Sequence, residues 1–313
     1  MPKILKFTKP APIFKFLCLF IFLLSKLISS FAQQIKNVPD AFAHLNIMPE
    51  VFVLDNDIDV PVKNGHFQGV QVIELNGSEK LLISGSSSKL AYILQADLAS
   101  QKTEKLIYLM GDPFRHAGGF QVSKDYLAIG IEDNIIKTSS KVNFYNHQSD
   151  TRTNPLPRFT IEREGEPEEK TAGATGIMAL NSSNSFVVVS NWDSRIWDFY
   201  RVNLISQKQE LLHSFTAPDD WAGYQSINLL KDDNAIYAIG FHGGGRNNQA
   251  DLILVSRLDA FDPIMLKIST KRFKTSKGLE FGAAAGLQID QAGNLHIWGT
   301  EKTSSKKILV NKF

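Results

Sequence analysis

Residues 116–133 read HAGGFQVSKDYLAIGIED. A glycine, a glutamine two positions on, a polar turn, an alternating apolar run and a closing small residue follow in that order. Milder versions recur at Gly69-Val-Gln71, Gly176-Ile-Met178, Gly223-Tyr-Gln225 and Gly286-Leu-Gln288, with Gly119-Phe-Gln121 the copy inside the quoted stretch. Each is followed by a second run ending in a small residue, at Gly85, Gly130, Ser190, Gly240 and Gly299. A third run follows from Lys89, Lys141, Arg195, Asp251 and Lys306, and a fourth from Lys105, Arg158, Leu211 and Ile264. Short β-branched and aromatic runs bounded by Ser, Asn, Asp or Gly read as strands joined by turns.

The fifth unit ends after its third run, and VFVLD at Val51–Asp55 is the matching fourth strand from the other end of the chain. The pattern predicts an all-β fold, a β-propeller of five blades with four antiparallel strands each. The ring is expected to close with N- and C-terminal strands in one blade, which removes open sheet edges at the seam. A sixth blade would have to hide as a degenerate unit in residues 33–64. Gln71, Gln121, Gln225 and Gln288 share a strand face with their glycines and are expected to line the channel or clip neighbouring blades together.

The chain carries 34 Lys and Arg against 32 Asp and Glu, a net charge of +2. Lys3, Lys6, Lys9 and Lys15 lead into the apolar run FLCLFIFLL and then Ser30-Phe31-Ala32, the pattern of a secretory signal peptide. The apolar run is shorter than the roughly 20 residues that span a bilayer. The expected division is therefore 1–32 signal peptide, 33–50 N-terminal extension and 51–313 one propeller domain, exported to a periplasm or beyond the cell and monomeric. Cleavage takes away five lysines and no acid, so +2 becomes −3. Without a concentrated positive patch, nucleic acid is not an expected partner. The one cysteine, Cys18, leaves with the signal, which excludes disulfides, thiol catalysis and cysteine metal sites from the mature chain.

Strand order and terminal closure resemble secreted β-propellers in general over the whole mature length. Trp192-Asp193 and Trp197-Asp198 resemble the dipeptide of WD repeats, but in one unit only and without its Gly-His partner.

In such a fold, loops at one end of the channel are the default place for a ligand. Two residues past the small residue of each second strand stand Ser87, Glu132, Trp192, His242 and Glu301. His66 and His116 each precede their glycine by three residues, with Arg115 and Asp133 nearby. Trp192, Trp221 and Phe241 would offer flat apolar faces to a sugar or peptide, and Gly243–Gly245 with Arg246 a backbone nest for an anion. The acidic stretch 162–170 reads as a solvated rim loop. A divalent metal between the histidines and Glu132 or Asp133 is a lesser alternative, and no cofactor is expected. The ligand-binding set is thus His66, Arg115, His116, Glu132, Asp133, Trp192, Asp193, Trp221, His242 and Arg246. The expected function is non-catalytic recognition of a saccharide, peptide or protein. The alternative is a hydrolase or lyase acting on carbohydrate through Glu132, Asp193 and Glu301, with Asp133 and Glu280 as further carboxylates, if two come within about 5 to 10 Å.

Overall fold

The computed structural model describes residues 35–313, except Val62, Asp150, Thr151, Arg246 and 257–263. The expected signal peptide, Cys18 and Arg246 lie outside the described residues. Among the described residues no helix is long and apolar enough to cross a membrane.

The fold is all-β and propeller-like. Five antiparallel runs follow one another: β2 (Phe67–Leu75), β3 (Ser78–Gly85), β4 (Leu90–Asp97) and β5 (Lys102–Gly111); β6 (Phe114–Ser123), β7 (Tyr126–Asp133), β8 (Ser139–Asn146) and β9 (Phe159–Glu164); β10 (Ala174–Ala179), β11 (Asn184–Ser190), β12 (Ile196–Asn203) and β13 (Lys208–Thr216); β14 (Ser226–Lys231), β15 (Ile236–His242), β16 (Asn248–Ser256) and β17 (Ile264–Phe273); and β18 (Leu279–Ile289), β19 (Leu295–Glu301) and β20 (Lys307–Lys312). The last run takes β1 (Glu50–Asp55) as its outer neighbour, antiparallel to β20 from Glu50–Lys312 to Asp55–Lys307. The runs are not separate sheets. Single parallel bridges, Gly69 to Ala285 and Gly119 to Ala174, join first strands of different runs into eight-stranded arrays, while β14 to β17 stay a sheet of four.

The bridges correct the register read from the glycines. Gly69 faces Ala285, so Gly286 is one residue further on, and Gly119 faces Ala174, so Gly176 is two residues further on. Gly223 precedes β14 altogether. First strands need a small residue where their backbones crowd, and alanine or serine meets that need in some units. Two first-strand glycines show the crowding: a Cβ on Gly119 would lie 2.6 Å from the Gln225 carbonyl oxygen, and one on Gly286 would lie 1.7 Å from that of Val70.

Gln71 and Gln121 are clips rather than channel lining. The Gln121 Oε1 accepts from the backbone N–H of Ile177 (2.9 Å) and Leu229 (2.7 Å), and its amide donates to Leu229 O (2.7 Å). Three first strands, β6, β10 and β14, are tied through one side chain. Gln71 donates to Asn228 Oδ1 at 3.0 Å and accepts from Val122 N at 3.2 Å. Gln288 instead holds Glu79 and the Trp298 indole N–H. A further recurrence joins third to fourth strands: Thr160 donates to Asn143, Ser214 to Asp198 and Thr270 to Asp251, each across a strand pair.

The segment before β1 is built in. Helix α1 (Val38–His44) is capped by Asn37, whose side chain accepts from Asp40 N. The Val38 N–H donates to Asp232, and Val38 and Phe42 join the apolar core containing Phe241, Phe281 and Phe313.

Candidate functional site

The first and second strands of the β6–β9 run place His116 directly opposite Glu132. His116 Nδ1 and Glu132 Oε1 are 2.8 Å apart, in close contact without the alignment of a hydrogen bond. The other carboxylate oxygen of Glu132 accepts from Ala172 N at 2.7 Å. On the far side of the imidazole, Nε2 faces the Gln68 amide nitrogen at 2.9 Å. Gln68 is oriented by Gln225, whose amide donates to Gln68 Oε1. The imidazole is thus bounded by an amide on its Nε2 side and by the Glu132 carboxylate on its Nδ1 side. Gln225, Gln68, His116 and Glu132 form one chain of contacts.

Trp192, in the turn between β11 and β12, covers this chain. Its indole stacks on the His116 ring with centroids 5.0 Å apart and planes 25° from parallel. It remains 43% exposed, whereas Gln68 and Glu132 are fully buried and His116 nearly so. Lys137 Nζ stands 5.0 Å from the indole centroid and is held by Glu168 at 2.8 Å. His66 reaches the same amide, its Nε2 3.4 Å from Gln68 Nε2, and burial pushes its pKa down. His66 and Gln225 are half-buried, and the Glu132 carboxylate lies beyond the His116 ring on which Trp192 stacks.

The acidic stretch is not merely solvated. Its glutamates are exposed, but Arg163 within it is buried, as are Thr171 and Ala172 just after it. Thr171 Oγ1 accepts from Trp192 N at 2.8 Å, and Arg163 donates to Thr171 O while pairing with Asp198 at 2.7 Å.

Several expected site residues are elsewhere. Asp133 caps its own turn through Ile135 N and Ile136 N. Trp221 packs edge-on to Trp197 at 6.0 Å, and Phe241 edge-on to Phe281 at 5.9 Å, both in the core. His242 turns toward Asp251 at 3.5 Å and lies edge-on to Tyr224, which donates to the same carboxylate. Arg115 holds Ser88 O and Asp112, and Asp193 caps Arg195 N. Glu301 is half-buried beside Ser305 and Leu309, and burial pushes its carboxyl up. Glu280 lies against Gly244. Among the described residues no three His, Cys, Asp or Glu side chains are grouped to hold a metal.

Gln68 and Thr171 were not singled out in the sequence. Gln68 immediately precedes Gly69, at the irregularity where Phe67 pairs with Gly85 and Gly69 with Ser84, so counting back from the conspicuous Gln71 does not give its direction.

No protein-family profile matches the sequence, and no curated protein matches it. Solved structures do. A hypothetical protein from Leishmania major aligns with a TM-score of 0.52 at 9% identity, over 88% of this chain and 91% of that one. A GH43 β-1,3-galactosidase with galactodeoxynojirimycin aligns at 0.50 and 11% identity, over 83% and 92%. A GH43 endo-arabinanase from Bacillus licheniformis aligns at 0.50 and 9% identity, over 83% and 96%. At these identities the likeness is one of fold, and it places the chain among propeller-like structures.

Proposed function

We propose that the protein is an exported, five-bladed propeller, closed by β1 beside β20, that engages carbohydrate at the end of the first strands where Trp192 covers His116. The observation that carries this reading is an exposed indole fixed over a buried imidazole and carboxylate, beside amide groups. An aromatic face next to amide donors suits the apolar face and hydroxyls of a sugar ring.

Two fold neighbours are glycosidases by name. As analogy of fold, that favours chemistry on a glycan over the plain recognition expected from the sequence. Glu132 is the carboxylate the site offers for such a reaction; Glu301 or Asp193 would have to come within about 5 to 10 Å of it to act as its partner across the scissile bond.

The test is to incubate the full chain with arabinan and with β-1,3-linked galactan, measuring reducing ends released and, in parallel, binding by calorimetry. Release that Glu132→Gln abolishes makes it a hydrolase. Binding without release, lost in Trp192→Ala, makes it a recognition module. Neither binding nor release defeats the carbohydrate reading. Export is checked by N-terminal sequencing of the protein from its native host, where a start at Gln33 is expected.

A further inference from the structure

We infer that Asp198 and Arg163 are positioning residues for this site: the buried pair locks the Thr171–Ala172 backbone, and that backbone in turn aims Trp192 and Glu132. The roles of the two aimed residues rest on the carbohydrate reading. The brace itself does not.

The chain of contacts is continuous. Asp198, fully buried on β12, accepts from Arg163 Nη2 at 2.7 Å, Lys170 Nζ at 2.9 Å and Ser214 Oγ at 2.6 Å. Arg163, on β9 and 4% exposed, spends its other terminal nitrogen on Thr171 O, with Ser140 Oγ at 3.4 Å. Ser140 and Thr171 close the turn further, donating to Lys170 O and to Glu168 O. From this held segment two contacts run to the site: Thr171 Oγ1 takes the Trp192 N–H, and Ala172 N–H goes to Glu132 Oε2. Adjacent residues of one segment thus grip both groups.

The arrangement exceeds what packing needs. A buried arginine and aspartate are costly to desolvate, and an apolar pair of the same volume is often no less stable. What an apolar pair would not supply is a rigid donor fork that fixes a carbonyl on one side while its partner anchors to another run. A site must be held within about 0.5 Å of its working geometry by such supporting groups.

The test needs no ligand. In protein labelled with 5-fluorotryptophan, the Trp192 resonance is assigned by Trp192→Phe, and Trp298, on β19, serves as the distant control. Thr171→Val, nearly isosteric, removes the acceptor of the Trp192 N–H. It is expected to shift the Trp192 fluorine signal and leave Trp298 in place, while Thr171→Ser restores the wild-type position. Asp198→Asn is expected to move Trp192 in the same sense. A Trp192 signal unmoved by Thr171→Val in a cooperatively melting protein overturns the inference. So does Asp198→Asn lowering the melting temperature with Trp192 unmoved, since Asp198 would then be packing alone. If the signals shift as expected and the wild type binds neither polymer, the brace stands and the carbohydrate reading falls.

Discussion

Trp192 lies over His116 with ring centroids 5.0 Å apart, and the two residues come from different four-stranded runs, 76 positions apart in a chain whose repeats never align them. Trp192 is nonetheless the exposed tryptophan of the protein, at 43%. Trp197, Trp221 and Trp298 are 0%, 7% and 1% exposed.

Acrylamide quenching of the native protein should therefore come chiefly from Trp192. Trp192→Phe should remove most of the quenchable fluorescence and change stability by no more than about 0.5 kcal/mol, as surface substitutions do. Stern–Volmer titration with a thermal melt checks both; quenching that survives the substitution would mean that another indole is reached by solvent.

Gln121→Leu leaves the N–H groups of Ile177 and Leu229 without their acceptor. Each buried orphan costs about 1 to 3 kcal/mol, so we expect a loss of roughly 3 kcal/mol or more in urea denaturation. Gln288→Leu, which strands the Trp298 indole N–H, should cost about half as much on the same scale.

Asp198 experiences burial, which raises its pKa, but the hydrogen bonds from Ser214 and Arg163 and the Arg163 charge outweigh it and hold the carboxyl below its ordinary value. A carboxyl depressed in the folded state stabilises above its unfolded pKa of about 3.9, and that stabilisation is lost as pH falls through the folded value. Asp198→Asn should lower stability at pH 7 by about 3 to 5 kcal/mol, the cost of leaving Arg163 unpaired. It should also flatten the acid limb below about pH 4. Denaturation midpoints across pH 2 to 7 read both effects.

Glu301 has the opposite sign. Burial raises its carboxyl, so the folded state holds the proton more tightly than the unfolded chain and stability declines as pH rises through that window. Glu301→Gln should melt higher than wild type at pH 7, with the gain vanishing at pH values below the unfolded glutamate pKa of about 4.3. If Glu301 is a working carboxylate, the same variant gains stability and loses glycan cleavage.

Gly119→Ala places a methyl group 2.6 Å from the Gln225 carbonyl oxygen and 2.7 Å from Ser226 Cα, both backbone. Neither can rotate aside, and we expect a cost of about 3 kcal/mol from overpacking. Gly77→Ala meets nothing within 4 Å and carries only the strain of its φ of +76°, about 1 kcal/mol. A melt in which Gly77→Ala falls further than Gly119→Ala would refute the crowding argument.

The strands were legible because their signal is local: β-branched and aromatic runs bounded by turn formers mark them, and the repeat gives their consecutive runs, though not the bridges that join runs into eight-stranded arrays. The pairing of VFVLD with the last strand was legible for the same reason, since the last unit lacks a fourth strand. The glycine register was not. Gly69, Gly176, Gly223 and Gly286 look alike in sequence, yet what crowds a backbone is its neighbour across the bridge, and alanine at 174 and 285 satisfies the same space.

For the site, the sequence by itself determined that Glu132 and Trp192 stand at corresponding ends of second strands, because that position follows from counting along one strand. Only the tertiary structure decided that Trp192 covers His116, that Trp221, Phe241 and His242 turn inward, and that Gln68 and Thr171 belong to the site. The reason is physical. What these residues do is set by the partners that lie across a gap between runs, and those partners, Gln225 for the Gln68 side chain and Arg163 for the Thr171 carbonyl, are brought there by folding rather than by any spacing in the chain.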